Sequence, residues 1–306
     1  MNTSFAGRRA AETRARLQSS PYPAAKVEKY CRLVERIESE ILPHEVITNN
    51  PYTRWFAKGD FTLDEVRHFL TQFSVFSNFF IVAQLLKTIN APTLEAMHAS
   101  KEILMNELGV SFHNPQRKSA KPETDARSEE ESYEFEGTVN GSVFRFSAAH
   151  FEWLLRIANH LGLAFTDLGK RKHGTRSTLF FCNELARIYG SEDADIALGA
   201  SFAVENWAAA GFWKELIRGL QAFRDRESPG MPLGFFTWHD RVEDNHARHT
   251  WDELEEEFFS HDSLDEDMFI RGGVEMLNGV MAFWTGLNGE VTFRPVASPD
   301  AAEAAH

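Results

Sequence analysis

An all-α fold interrupted by one small β insertion is predicted for this chain. Three observations predict it. Apolar residues recur at three- and four-residue spacing through most of the sequence, the mark of amphipathic helices. Helix caps punctuate those runs, with Thr62 and Glu65 forming a capping box at one start and Gly109, Gly162 and Gly190 closing three ends. The helical period fails in only one internal stretch, 110–146, where Asn140-Gly141 separates two alternating aromatic or β-branched runs. Asn-Gly in that setting is the strongest short-range hairpin signal.

Composition supports a folded protein with a large core. The 306 residues are 43% hydrophobic and 25% charged, a balance that excludes wholesale disorder and collagen-like repeats. The 26 Phe and 7 Trp, against 5 Tyr, need a sizeable interior, and a chain of this length supplies one. No stretch approaches ~18 uninterrupted apolar residues, so no membrane span is expected. Two cysteines, Cys31 and Cys182, exclude a disulfide scaffold and a cysteine-only zinc site. A formal net charge of −13 argues against nucleic acid as a partner. Such an acidic surface suits a cytoplasmic enzyme.

Residues 1–22 carry several Arg without an apolar h-region. They read as a flexible N-terminal arm rather than a secretory leader, with an organelle transit peptide as the alternative. A helical domain over 23–290 follows. Val27, Tyr30, Val34, Ile37 and Ile41 mark its first helix, ending near Pro43. A second runs from Thr62 through Phe69, Phe73, Phe76, Phe80 and Ala83 towards Asn90, and a third from Thr93 to Gly109. Residues 114–132 are polar and charge-dense, the profile of a solvated loop. A hairpin at about 133–146 completes the 110–146 insertion, as a lid over a site or as surface decoration. Helices then follow Ser147 up to Gly162 and span about 177–189. Ser191 is expected to cap one long helix through Val204, Trp207, Phe212 and Leu216 to about Phe223. Pro232 opens the next, and Ser263 caps the last, to about Leu287. Residues 291–306 read as a loose, Ala- and acid-rich tail.

The segment FFTWHDRVEDNHARHTW carries the strongest chemical signal. At 100° per residue, His239, Glu243 and His246 fall within a ~60° arc of one helical face. Two imidazoles and a carboxylate side by side suit iron, manganese or zinc; a solvated acidic face is the alternative. Glu205 stands in a helix that is apolar nearly all round, where a lone carboxylate is costly unless paired, hydrogen-bonded or metal-bound. Glu107, or Glu102, ends the helix before Gly109. His150 has Leu154 and Ile157 at i+4 and i+7, so it faces inwards.

The order Glu, His, Glu, then H-x-x-x-[D/E]-x-x-H resembles the haem-oxygenase-like di-iron oxidases and oxygenases. NELG followed by HFEWLLRIANHLGL is similar to that family's Glu-Leu-Gly turn and histidine helix, and YGSEDADIALGASFAVENWAAAGFW to its third ligand helix. The resemblance covers roughly residues 25–285 and implies a haem-oxygenase-like helical bundle. It implies metal ligation by Glu107, His150, Glu205, His239, Glu243 and His246, with Glu205 central, around two Fe ions. Two departures stand out. The Glu-to-His connection is expanded, so His113 competes with His150, and Glu243 replaces the commoner Asp.

The chemistry implied is reduction of O2 through a peroxo-di-iron species and oxidation of a small organic substrate of amino acid, amine or fatty acid class. No flavin or nicotinamide motif is present, so an electron donor would be separate. Arg156, Arg241 and Arg271 are available for a substrate carboxylate. A ferritin-like site using Glu95/His98 and Glu243/His246 is one alternative. A metal-free enzyme or binding protein of the same fold, resembling thiaminase-II or cofactor-independent quinone-synthesis proteins, is another. Its thiaminase form needs a nucleophilic cysteine, and Cys182 in LFFCNEL reads as core. A homodimer is compatible with the Phe and Trp content.

Overall fold

The computed structural model describes residues 7–113, 135–139, 142–146, 148–260 and 264–292, with the backbone alone for 111–113, 135–139, 142–146, 242–249 and 291–292. Helices dominate it. They are α1 (Arg8–Leu17), α2 (Ala24–Arg36), α3 (Glu45–Thr48), α4 (Pro51–Phe56), α5 (Leu63–Ile89) and α6 (Leu94–Glu107). After the insertion come α7 (His150–His160), α8 (Arg176–Glu184), α9 (Ala194–Ala208), α10 (Phe212–Glu227), α11 (Gly234–Ser260) and α12 (Glu266–Thr292). One π turn, Ile37–Ile41, extends α2, and another, Leu185–Tyr189, extends α8. The Thr62–Glu65 capping box opens α5 as its sequence demands.

Three strands, β1 (Val110–His113), β2 (Phe135–Val139) and β3 (Ser142–Phe146), form an antiparallel sheet in the order β1-β3-β2. The turn residues Asn140 and Gly141, and the charge-dense run 114–132, lie outside the described residues. So do residues 1–6, Ser147, Ser263 and 293–306.

The structure corrects two sequence expectations. Residues 8–17 of the expected loose arm form α1, with Ala10 and Leu17 buried. The physical reason is Glu38, 8% exposed, whose carboxylate accepts the Arg9 and Ala10 amides at 2.9 and 3.2 Å. A carboxylate at a helix N-terminus satisfies orphan donors and the helix dipole together. The second correction is the long helix expected from Ser191 to Phe223, which is two helices broken at Gly211, φ 97°. Asp193 caps the first of them, accepting the Asp195 and Ile196 amides.

Helix α5 is the hub. By length and composition it could cross a membrane, with a mean hydropathy of 1.5 over its most apolar 18 residues, and 44% of that window is buried inside this fold. Phe69 and Phe73 put it at the centre of a ring cluster, with Phe56 and Phe236 from other helices at 4.6 and 5.6 Å. Each fully buried ring contributes ~1.5–3 kcal/mol through loss of apolar surface to water.

Helices α9 and α12 pack backbone to backbone. A Cβ on Gly199 would collide with the Phe269 carbonyl oxygen, and one on Gly272 with that of Ile196. Glycine at both crossings is what lets the axes approach so closely.

Candidate metal centre

Three of the six expected ligands converge. Glu107 ends α6, His150 opens α7 and His239 lies in the second turn of α11. One ligand atom from each lies within 4.8 Å of the others. Local sequence fixes each position. Gly109, φ 67°, turns the chain sharply just after Glu107. The Ala149 amide donates to Glu152 at 3.1 Å, which starts α7 at His150. His150, Leu154 and Ile157 then share the buried face of α7. Glu107 and His150 are 43 positions apart, and the pairing of β1 with β3, Val110 opposite Phe146, brings the ends of the insertion together.

His150 Nδ1 lies 3.0 Å from Glu107 Oε2. His239 Nδ1 donates to the Phe235 carbonyl oxygen at 2.6 Å. A carbonyl can only accept, so this bond fixes the proton on Nδ1 and leaves Nε2 of a neutral ring with its lone pair, as metal ligation requires. The two imidazole centroids are 4.9 Å apart. Trp213 stacks on His239 at 4.9 Å and 25°, Trp238 lies 4.7 Å from His150, and Trp153 lies 5.3 Å from it. Phe73 stands one ring further back, 5.9 Å from both Phe235 and Trp213. These rings take the place of solvent around the two imidazoles, and less water strengthens the pull of the carboxylate on a cation.

Glu205 is half-buried on α9 and does not belong to the 4.8 Å group. Its charge acts on Lys87 and Tyr189. Lys87 Nζ donates to Ser201 Oγ at 2.7 Å and lies 4.7 Å above the Tyr189 ring. Burial lowers the Lys87 pKa, opposed by Glu253 and Glu205. Burial raises the Tyr189 pKa, with the charges of Glu205 and Glu107 adding to it. Tyr189 therefore feels both carboxylates. The α11 backbone continues through 242–249, but the side chains of Glu243 and His246 lie outside the described residues, as does that of His113.

The other candidates stand apart from this cluster where they are described. Glu102 is exposed, as are Glu95 and His98. His98 and Glu107 are nine positions apart on α6, ~13 Å of helix rise. Arg241 is exposed, and Arg271 donates to Glu275 at 2.7 Å. Among the described residues Cys182 is 3% exposed, and burial pushes its thiol up to about 11, the state of an inert core cysteine. Sequence reasoning missed Lys87, Tyr189 and Trp213. A lone Lys in the apolar run IVAQLLKTI was the available signal for the first.

No family model and no curated protein matches this chain. Its fold, however, has solved counterparts. A domain of unknown function with a haem-oxygenase-like fold from Shewanella denitrificans superposes with a TM-score of 0.53 at 14% identity, covering 89% of this chain and 95% of its own. A CADD-like protein of unknown function from Nostoc punctiforme gives 0.56 at 14% identity, covering 90% and 100%. A TenA homologue from Pseudomonas syringae gives 0.55 at 10% identity, covering 89% and 96%. At such identities the likeness concerns the fold alone. This chain has a haem-oxygenase-like fold, with a three-residue cluster of metal-ligand type inside it.

Proposed function

We propose that this protein is a non-haem di-iron oxygenase or oxidase acting on a small organic substrate. The convergence of Glu107, His150 and His239 carries the reading. Two imidazoles and a carboxylate suit Fe(II) among the divalent metals. The fit rests on the fixed Nδ1 proton of His239 and on Trp213 Nε1, buried with no hydrogen-bond partner beside that ring. Glu107, His150 and His239 would hold iron directly, and Glu205, Glu243 and His246 would complete a pair of ions. Bound iron would supply the electrons for O2 reduction and the oxidising power. This chain's own residues do the rest. The Phe235 carbonyl orients His239, and Trp153, Trp213 and Trp238 pack around the two imidazoles. The electron donor would be a separate protein or small reductant.

The test is to load metal-free protein with Fe(II) under anaerobic conditions, count the iron, and follow O2 uptake on mixing. A pair of irons per chain, lost on His239→Ala, is expected. Iron-free protein after loading, or iron that His239→Ala leaves in place, defeats the proposal.

A metal-free reading keeps Glu107 and His150 as an acid–base pair at 3.0 Å. Its cysteine-nucleophile form is disfavoured by Cys182. With its thiol pushed up to about 11, the thiolate fraction at neutral pH is ~100-fold below that of a free cysteine. Iodoacetamide at pH 8 should label Cys182 slower than a model thiol by at least that factor, and Cys182→Ser should leave any activity intact.

A further inference from the structure

The rings behind His239 are sorted by chemistry. Trp213 on α10 stacks on His239 at 4.9 Å, and Phe212 lies 4.4 Å from Trp213. Trp207 on α9 stacks on Phe212 at 4.5 Å and 3°. Trp284 on α12 lies 5.9 Å from Phe212 and 6.5 Å from Trp207. Tyr52 on α4 follows, 5.5 Å from Trp284, and Trp55, one turn further along α4, is 5.4 Å from Tyr52. Trp213, Trp207, Trp284 and Tyr52 are buried, whereas Trp55 is half-buried. An indole-rich row thus leads from the metal centre towards the surface. A second row starts at Phe73, 5.9 Å from Trp213, and runs through Phe76 and Phe283. It holds phenyl rings, which give up electrons far less readily than indoles, and it meets the first row at Trp284. Trp284 is therefore the junction through which both rows reach α4.

The buried indoles share a second property. Nε1 of Trp207, of Trp213 and of Trp284 is buried with no hydrogen-bond partner. A buried indole N–H ordinarily finds one, and leaving it without costs ~1–3 kcal/mol. Three such groups in one row call for a reason, and a redox role is among those that retain them. An indole that loses an electron becomes acidic at Nε1, and passing that proton to an acceptor would pin the vacancy on the ring. With no acceptor the proton stays, and the vacancy moves on. Solvation sets the direction, because a positive ring is costlier in the apolar interior than at Trp55 beside water.

We propose that Trp213, Trp207, Trp284 and Trp55, bridged by Phe212 and Tyr52, form an escape path for oxidising equivalents. This use of the rings rests on the iron centre proposed above. When no substrate is present, Trp213 gives one electron to the oxidised centre and the vacancy passes outward to Trp55. A one-electron reductant of the thiol or ascorbate class then refills Trp55, and its proton goes to water. The net change is one electron moved from that reductant to the centre. No bond within the row is made or broken, and no proton travels along it. The path spares Glu107, His150 and His239 from oxidation.

The test loads the protein with Fe(II), counts the iron, and admits O2 without substrate or reductant, with catalase present. Peptide mass spectrometry then maps the oxygen atoms added at each Trp and His. The wild-type protein should gain oxygen at Trp55, and ascorbate should suppress that gain. Trp284→Phe keeps a ring at the junction but removes the indole. It should lower oxidation at Trp55 about tenfold and raise it at Trp213 and His239. Trp207→Phe should have the smaller effect, since Phe212 still reaches Trp284. Equal oxidation of Trp55 in the wild type and Trp284→Phe, as a diffusing oxidant would give, overturns the proposal. So do products confined to Trp153 and Trp238, the half-buried rings beside His150. Either result leaves the iron count intact, whereas protein that takes up no iron defeats the function and the path together. Should Trp284→Phe fail to fold, the wild-type map decides, and a Trp55 without added oxygen overturns the path.

Discussion

Two of the polar islands in this Phe-rich interior are built on opposite rules. Around Gln84, donors and acceptors alternate until every group is answered. Gln84 Nε2 donates to the Ser100 carbonyl and hydroxyl at 2.9 and 2.6 Å, Tyr189 OH donates to Gln84 Oε1 at 2.9 Å, and Thr88 Oγ1 lies 2.8 Å from Ser100 Oγ. Around His239, groups of one kind converge. Glu107, His150 and His239 each bring a lone-pair atom to the same few ångströms, and only a proton or a cation can reconcile them. Alternation makes structure and convergence makes a site, because buried acceptors facing one another cost free energy until something positive arrives.

The contrast can be broken from either side. Gln84→Leu should have the largest effect on stability. It removes the acceptor of the buried Tyr189 hydroxyl, which keeps only its bond with Ser201, and the donor to Ser100, a loss of about 2–3 kcal/mol in denaturant unfolding, with metal uptake retained. Adding Tyr189→Phe should cost less than it does in the wild-type protein, since its bond to Gln84 has already gone. His150→Ala and His239→Ala should do the reverse, with little change in unfolding free energy and at least ~100-fold weaker metal binding, scaled from the 10–100-fold cost of losing even an outer-shell partner. Equal stability losses at Gln84 and His239 would erase the distinction. Trp213→Phe is the finest probe. It keeps the ring against His239 but removes the unpaired N–H, and should change metal affinity by only a few-fold while raising stability slightly, because one unsatisfied buried donor disappears.

Much of the fold was legible because its signals are local. The Thr62–Glu65 box, Gly109 and Gly162 announce helix ends through chemistry within a turn of themselves. What failed was long-range. Nothing near Arg8–Leu17 reveals that Glu38 will hold its first amides, or that Arg9 will lie 4.1 Å over the Trp251 ring, so the arm looked loose. Gly211 looked like a helix interior because apolar spacing continues across it, although its left-handed φ breaks the helix.

The site shows the same division. Inward facing was readable for His150 from Leu154 and Ile157, and a choice between Glu102 and Glu107 follows from their ~140° separation around α6 once one face is buried. Periodicity gives the buried face but not the neighbour across it. The apolar surroundings of Glu205 show that it needs a partner, and its charge reaches Lys87 and Tyr189, groups that sequence spacing does not bring together.

The glycine crossings of α9 and α12 set a mechanical limit. With Gly199 against Phe269 and Gly272 against Ile196, two main chains lie in van der Waals contact without intervening side chains to re-pack, so the pair moves as one plate carrying Glu205 with it. Around His239 the helices α6, α7 and α11 meet through side chains instead, and side chains can change rotamer where a glycine crossing leaves nothing to adjust.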